Sequence, residues 1–187
     1  DFAYQGFGEG LDADASGVRL LCETVDEALI ASSYAKNFSL YRERVGAISV
    51  VGSSSEKAAN VLTVINSLTR QNYSMPPAHG TGIVDIILHS DDLTAMWLDE
   101  VTAMRDRING NRAKFVAGLQ TAGAPGNHES LMRQRGMFSL LPLGEERVAR
   151  LRDEFGIYLV GKGRVNVAGL TADNLDPVCR AIAAVTS

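Results

Sequence analysis

Apolar and polar positions run along this chain in two periods, and each predicts a different kind of element. DEALIASSY (residues 26–34) and VGAISVVGS (45–53) carry short apolar runs rich in β-branched residues, with Val45, Ile48, Val50 and Val51 in the second; both read as strands. A helical period takes over at EKAANVLTVINSLTR (56–70), where Ala59, Leu62, Ile65 and Leu68 share one face, and Ser53 followed by Glu56 has the form of a capping box in front of it. SMPPAHGTG (74–82) breaks the chain, and a short helix is expected over IVDIILHS (83–90). Ser90 then stands as N-cap to a much longer period. Leu93, Met96, Trp97, Val101, Met104, Ile108 and Phe115 carry it to about residue 122, a helix on the order of 45 Å long, with Gly110 placed to kink it.

The remaining pattern is shorter in range. DADASGVRLLCETV (12–25) reads as a turn and helix, MFSLLPL (137–143) as a strand, and GEERVARLRDEFG (144–156) as an amphipathic helix closed by Gly156. IYLVGKGRVNVAG (157–169) is expected to form two strands about a GKG turn, and Leu175 to Val185 a final helix. The pattern predicts an α/β fold in two parts, residues 1–104 and 105–187, with the boundary inside the long helix, which would serve as a hinge between them.

Composition narrows the class. A chain of 187 residues, 45% hydrophobic and 21% charged, is that of a globular protein. A net charge of −4 with no Lys/Arg run argues against nucleic acid and anionic membrane as partners, and no apolar run approaches the roughly 18–20 residues of a membrane span. Cys22 and Cys179 fit no metal or disulfide spacing and point to reduced thiols in a cytoplasmic protein. The opening DFAYQGFGEG has no lead-in, and Phe2 and Phe7 look like core residues in need of neighbours, so the chain reads as one that begins inside a larger fold.

Several formal matches fail on context. Asp12, Asp14, Ser16, Gly17 and Glu23 have calcium-loop spacing, but no helix precedes them and Arg19 stands where an aliphatic residue belongs. His79, His89 and His128 have no paired metal spacing. Ser33 and Lys36 spell S-x-x-K, yet the S-D-N and K-T-G elements of that serine chemistry are absent, and the motif sits where strand runs into loop rather than at a helix start.

Lys36 is the residue that asks for chemistry. A neutral lysine amine is a nucleophile towards carbonyls, and its best-known use is a Schiff base. Pyridoxal phosphate requires such a lysine, a carboxylate to keep its ring nitrogen protonated, and hydroxyls with an arginine for its phosphate. Ser33 and Arg44 flank Lys36, and Asp1 and Tyr4 head a segment able to enter the same strand-end cleft. These are common residue types, and spacing alone leaves other roles open: a surface arginine at Arg164 or Arg44, a core aromatic at Tyr4.

Five motifs in fixed order change the weight of that reading. DFAYQGF, SSYAKNFSLYRERVG, RQNYSMPPAHG, RGMFSL and GRVNVAGL together resemble the aspartate/aromatic aminotransferases, fold type I pyridoxal-phosphate enzymes, over essentially the whole chain but only the C-terminal half of such an enzyme. The resemblance implies an α/β fold comprising the later part of a pyridoxal-phosphate large domain followed by a small C-terminal α/β domain. It implies amino transfer between an aromatic or acidic L-amino acid and a 2-oxo acid such as 2-oxoglutarate, with pyridoxal 5'-phosphate as cofactor. Lys36 would hold the cofactor and move the proton. Asp1 would face the ring nitrogen, Tyr4 the phenolic oxygen, and Ser33 and Arg44 the phosphate. Arg164 would clamp the substrate α-carboxylate, Phe138 would wall its pocket, and Arg70 would reach into the neighbouring subunit of a homodimer. Three positions depart from the family pattern: Ala35 and Ser39 beside the lysine, and Met75, whose apolar side chain would favour aromatic substrates. The same resemblance leaves an alternative, a truncated, non-catalytic structural fragment lacking the N-terminal half.

Overall fold

The computed structural model describes residues 1–187. The chain divides into two compact units, Asp1–Thr102 and Ala103–Ser187.

The first unit opens with an irregular segment and two short helices, α1 (Leu11–Asp14) and α2 (Ser16–Thr24). Strands β1 (Ala28–Ser33) and β2 (Gly46–Val51) then form an antiparallel hairpin, with Ala28 opposite Val51 and Ser33 opposite Gly46. Helices α3 (Ser55–Asn72) and α4 (His79–Leu88) follow, and α5 (Asp91–Thr121) begins here. Asp14 accepts three backbone amides, from Gly6 and Gly8 at 2.8 and 2.9 Å and from Glu9 at 2.8 Å. The carboxylate thus organises the glycine-rich opening, while Asp12 pairs with Arg19 at 2.6 Å.

The second unit contains the rest of α5, strand β3 (Phe138–Leu140), helix α6 (Glu145–Phe155), strand β4 (Arg164–Asn166) and helix α7 (Leu175–Thr186), with 3-10 turns at Glu129–Arg133 and Val167–Gly169. Strands β3 and β4 are antiparallel, with Ser139 opposite Val165. Phe115, Leu119, Leu131, Leu151, Val167 and Ile182 form its core, each 1% exposed or less. Gly156 closes α6 in the left-handed conformation at φ 65°, as its sequence position predicts.

Four expectations need correction. Ser54, not Ser53, caps α3: its side chain accepts the Lys57 amide at 3.2 Å, whereas Ser53 is engaged by the Lys57 ammonium at 2.9 Å. Ser54 takes the extended backbone of a cap, φ −155°. Helix α4 starts at His79 rather than 83; its first turn includes Gly80, which lies against Val45 and Glu43 so tightly that a side chain there would collide. Residues 157–169 give one strand, not two. Only an isolated bridge joins Val160 to Arg164, and β4 pairs with the distant β3 instead. The hydrogen-bonded run of α5 is unbroken at Gly110.

The two units differ in how much they bury. The first has few buried apolar side chains, among them Phe7, Val45, Val84 and Val101, while Phe2 is half-buried. Helix α3 buries none of its residues, and Leu62, Val64 and Leu68 on it are 53%, 57% and 58% exposed. Leu29 and Ile48 on the hairpin are also open, at 66% and 53%.

Candidate functional site

The hairpin positions one group of candidate residues, within the unit Asp1–Thr102. Pairing of Ser33 with Gly46, extended by the Tyr34 amide to the Val45 carbonyl at 3.1 Å, closes the loop that carries both Lys36 and Arg44. The Ser33 hydroxyl oxygen accepts the Ala35 amide at 3.2 Å, and the Ser39 amide donates to the Lys36 carbonyl at 2.9 Å, so Lys36 sits in a tight turn directly after the strand. On the other edge of β1, Phe2 forms a parallel bridge to Ser32 and donates its amide to Ala31 at 2.7 Å. That bridge fixes Asp1 and Tyr4 beside the same end of the strand. Lys36 Nζ stands 5.1 Å from the centroid of the Tyr4 ring, a cation–π distance.

The loop is held in place by what lies beneath it. Asn37 is 4% exposed; its amide nitrogen donates to the Gln5 carbonyl at 3.3 Å and its own carbonyl accepts the Trp97 indole N–H at 2.7 Å. Phe38 stacks on Trp97 with centroids 4.3 Å apart, and Tyr34 meets Phe38 edge-on at 5.5 Å. Ser39 and Arg44 both adopt positive φ, 56° and 54°, a conformation that side chains disfavour and that recurs where a fold over-determines its backbone. The Arg44 guanidinium donates to the Tyr41 carbonyl at 2.8 Å and is otherwise turned to solvent.

A separate group of candidate residues lies in the unit Ala103–Ser187. Residues 138, 140, 164 and 166 share the outer face of the β3–β4 pair, since Phe138 is opposite Asn166 and Leu140 opposite Arg164. Arg164 lies over the Phe138 ring, 4.6 Å from its centroid. Gly163 beside it passes so close to the Leu141 carbonyl that no side chain fits there, and its φ of 125° suits glycine. On the inner face, Ser139 is 1% exposed and accepts from Nε of Arg112 at 3.3 Å. Arg112 is itself 2% exposed; it also donates to Asn109 Oδ1 at 2.7 Å and, through a very short bond, to the Gly136 carbonyl. Burial, and secondarily the nearby Arg135 charge, hold its pKa below the usual arginine value. Arg70 stands in the last turn of α3, exposed and with no partner in the chain.

Of the residues singled out in the sequence, Lys36 and Tyr4 meet, Ser33 shares the lysine turn, and Arg164 meets Phe138. Asp1 lies beside the β1 end but is exposed, Arg44 is on the lysine loop with its head elsewhere, and Arg70 stands apart. Sequence reasoning missed Asn37, Trp97 and Arg112. Arg112 left a signal: it occupies the apolar stripe Ile108–Arg112–Phe115–Leu119 of α5, where a charge has to be satisfied internally. The hairpin end brings an amine and two hydroxyls together, with the Arg44 guanidinium and the Asp1 carboxylate on the adjoining backbone but open to solvent. These residue types suit a small aldehyde carrying a phosphate and a basic ring nitrogen.

Comparison with known proteins bears on the whole chain. The family model for aminotransferase class I and II matches residues 1–182. The aspartate aminotransferase of Escherichia coli strain K12 is 50% identical over 99% of this chain and 47% of its own length. The aromatic-amino-acid aminotransferase of Pseudomonas aeruginosa is 46% identical over 99% of this chain and 46% of its own. Among solved structures, the aromatic-amino-acid aminotransferase of Burkholderia pseudomallei, covalently bound to pyridoxal phosphate, is similar at a TM-score of 0.93 with 48% identity, covering 99% of this chain and 46% of that one. The chain spans about half the length of the curated relatives it matches. No helix is long and apolar enough to cross a membrane.

Proposed function

This chain belongs to the aminotransferase class I and II family, and on that premise we propose that it serves amino transfer between an L-amino acid, aromatic or acidic, and a 2-oxo acid such as 2-oxoglutarate, with pyridoxal 5'-phosphate held at Lys36. The observation that carries the reading is the half-buried Lys36 amine over the Tyr4 ring, in a turn whose first residue is Ser33. When bound, the pyridoxal ring supplies an electron sink for the bond broken at the substrate's α-carbon.

The chain's own residues supply the rest. Lys36 would hold the aldehyde of the cofactor, and its amine, when free, would serve as the base and acid for the proton at the substrate's α-carbon. Asp1 would keep the ring nitrogen protonated, Tyr4 would donate to the phenolic oxygen, and Ser33 and Arg44 would bind the phosphate. Arg164 receives the α-carboxylate in its planar fork, backed by the Phe138 ring, which fixes one guanidinium face. Arg70, without a partner in its own chain, serves the site of the other subunit in a cytoplasmic homodimer. The unit Asp1–Thr102 is then the later part of the large domain and Ala103–Ser187 the small one.

Met75, 79% exposed, bears on substrate choice. An apolar side chain near the site favours aromatic over dicarboxylic substrates, and Met75→Asn is expected to shift the kcat/KM ratio towards aspartate in a protein that transaminates. An unaltered ratio removes Met75 from the specificity argument.

Incubation with pyridoxal phosphate, borohydride reduction and peptide mapping test the central reading. Label concentrated at Lys36 over Lys57, Lys114 and Lys162 is expected. Even labelling of the four lysines overturns it. A second reading, a structural fragment without catalysis of its own, is favoured by the open apolar face of α3 and by the coverage of about half of each relative. Trapping at Lys36 with no amino transfer by the 187-residue chain supports that second reading.

A further inference from the structure

We propose that Asn37 is the positioning residue of Lys36, tying the lysine turn at once to the Tyr4-bearing segment through the Gln5 carbonyl and to α5 through the Trp97 indole. The inference rests on the reading of Lys36 as the reactive lysine.

Asn37 is a buried amide whose two ends are treated unequally. Its nitrogen donates to the Gln5 carbonyl, and no donor of the chain reaches Oδ1. The orientation is fixed by chemistry: the flipped amide would set Oδ1 against the Gln5 carbonyl oxygen, lone pair against lone pair. A buried acceptor without a donor costs about 1–3 kcal/mol, which an apolar residue of similar size would avoid. The amide is therefore accounted for by what its donor holds. That donor holds residue 5, next to Tyr4, whose ring faces the Lys36 ammonium at 5.1 Å.

The backbone of the same residue does a second job. The Asn37 carbonyl accepts the Trp97 N–H at 2.7 Å, and the stacked Phe38 ring locks the Trp97 plane from which that bond is made. Sequence separations of 32 and 60 residues are bridged at one position next to Lys36. The lysine turn is pinned at the residue following Lys36, from both sides, and the side chain of Lys36 inherits its direction from that pin. Neither bond touches Lys36 itself, so Asn37 acts on the amine through geometry alone.

Two variants separate positioning from bulk stability. Asn37→Leu keeps the size and removes the donor without adding a charge. Trp97→Phe keeps the ring stack and removes the N–H. The measurement is competitive acetylation of the folded chain with trace acetic anhydride, read by mass spectrometry as the ratio of Lys36 to Lys57 label within the same molecule. In the unaltered chain Lys36, half-buried over Tyr4, is expected to label more slowly than Lys57, whose side chain is 64% exposed. In both variants the ratio is expected to rise about threefold or more, the size of effect that loss of an ordinary net hydrogen bond produces. Val84→Ala, a core truncation in α4, serves as a stability control that should lower Tm and leave the ratio unchanged. A ratio unmoved in the variants, moved in only one of them, or moved equally in Val84→Ala, overturns the proposal. Failure of the parent reading would appear separately, as absence of pyridoxal-phosphate trapping at Lys36 in the unaltered chain.

Discussion

Arg164 lies over Phe138 on the outer face of the β3–β4 pair, its guanidinium carbon 4.6 Å from the ring centroid. The pairing is diagonal across the two strands, and it holds an arginine without a carboxylate partner in one orientation. At an exposed site such a contact is worth about 0.5–1 kcal/mol. A double-mutant cycle of Phe138→Leu and Arg164→Met, followed by urea unfolding of the chain, should return a coupling energy of that size. Zero coupling means that the ring does not orient the guanidinium.

Arg112 stands behind the same strand. Replacing it with Met removes donors from Ser139, Gly136 and Asn109 at once and takes that donor from the buried Ser139 and Gly136 oxygens. The expected loss is about 2–4 kcal/mol in urea unfolding. Arg112→Lys should recover only part, because an ammonium lacks the fork that reaches three acceptors.

Cys179 is 2% exposed, with its thiol directed at the Phe115 carbonyl at 3.8 Å and pressed close to Gly118. Burial, with a smaller contribution from Asp176, pushes its pKa up from 9.0 to about 11. A raised pKa means that the folded chain holds the thiol proton more tightly than the unfolded one. The associated stability is fully present below about pH 9 and is lost as the pH rises from there to about 11. Cys179→Ala should flatten the fall in urea midpoint across that window. A thiol reagent at pH 8 should modify the half-exposed Cys22 and reach Cys179 only on unfolding.

Ser39 carries a side chain at φ 56°, in a turn that begins at the Lys36 carbonyl. Ser39→Gly removes the left-handed strain and should raise stability by up to about 1 kcal/mol. A melting temperature that falls instead would show that the unfolded-state entropy of glycine outweighs the relief.

The sequence by itself determined what depends on residues a few positions apart. The period of α5 and its start after Ser90, the closure of α6 at Gly156, the extent of α7 and the two hairpin strands were all legible, because i to i+4 bonds, caps and alternation are local. The residues around Lys36 were also legible as a set, through ordered motifs. Tertiary structure decided which distant surfaces meet. It gave β4 the partner β3 in place of the neighbouring 157–160, because a strand accepts whichever edge completes its hydrogen bonds and buries Val165. It buried Arg112, and it brought Asn37 to Gln5 and Trp97. No periodicity encodes such contacts: the bonds of Asn37 to Gln5 and Trp97, and of Arg112 to Gly136, join residues 24 to 60 positions apart, and their formation depends on the packing of everything between them.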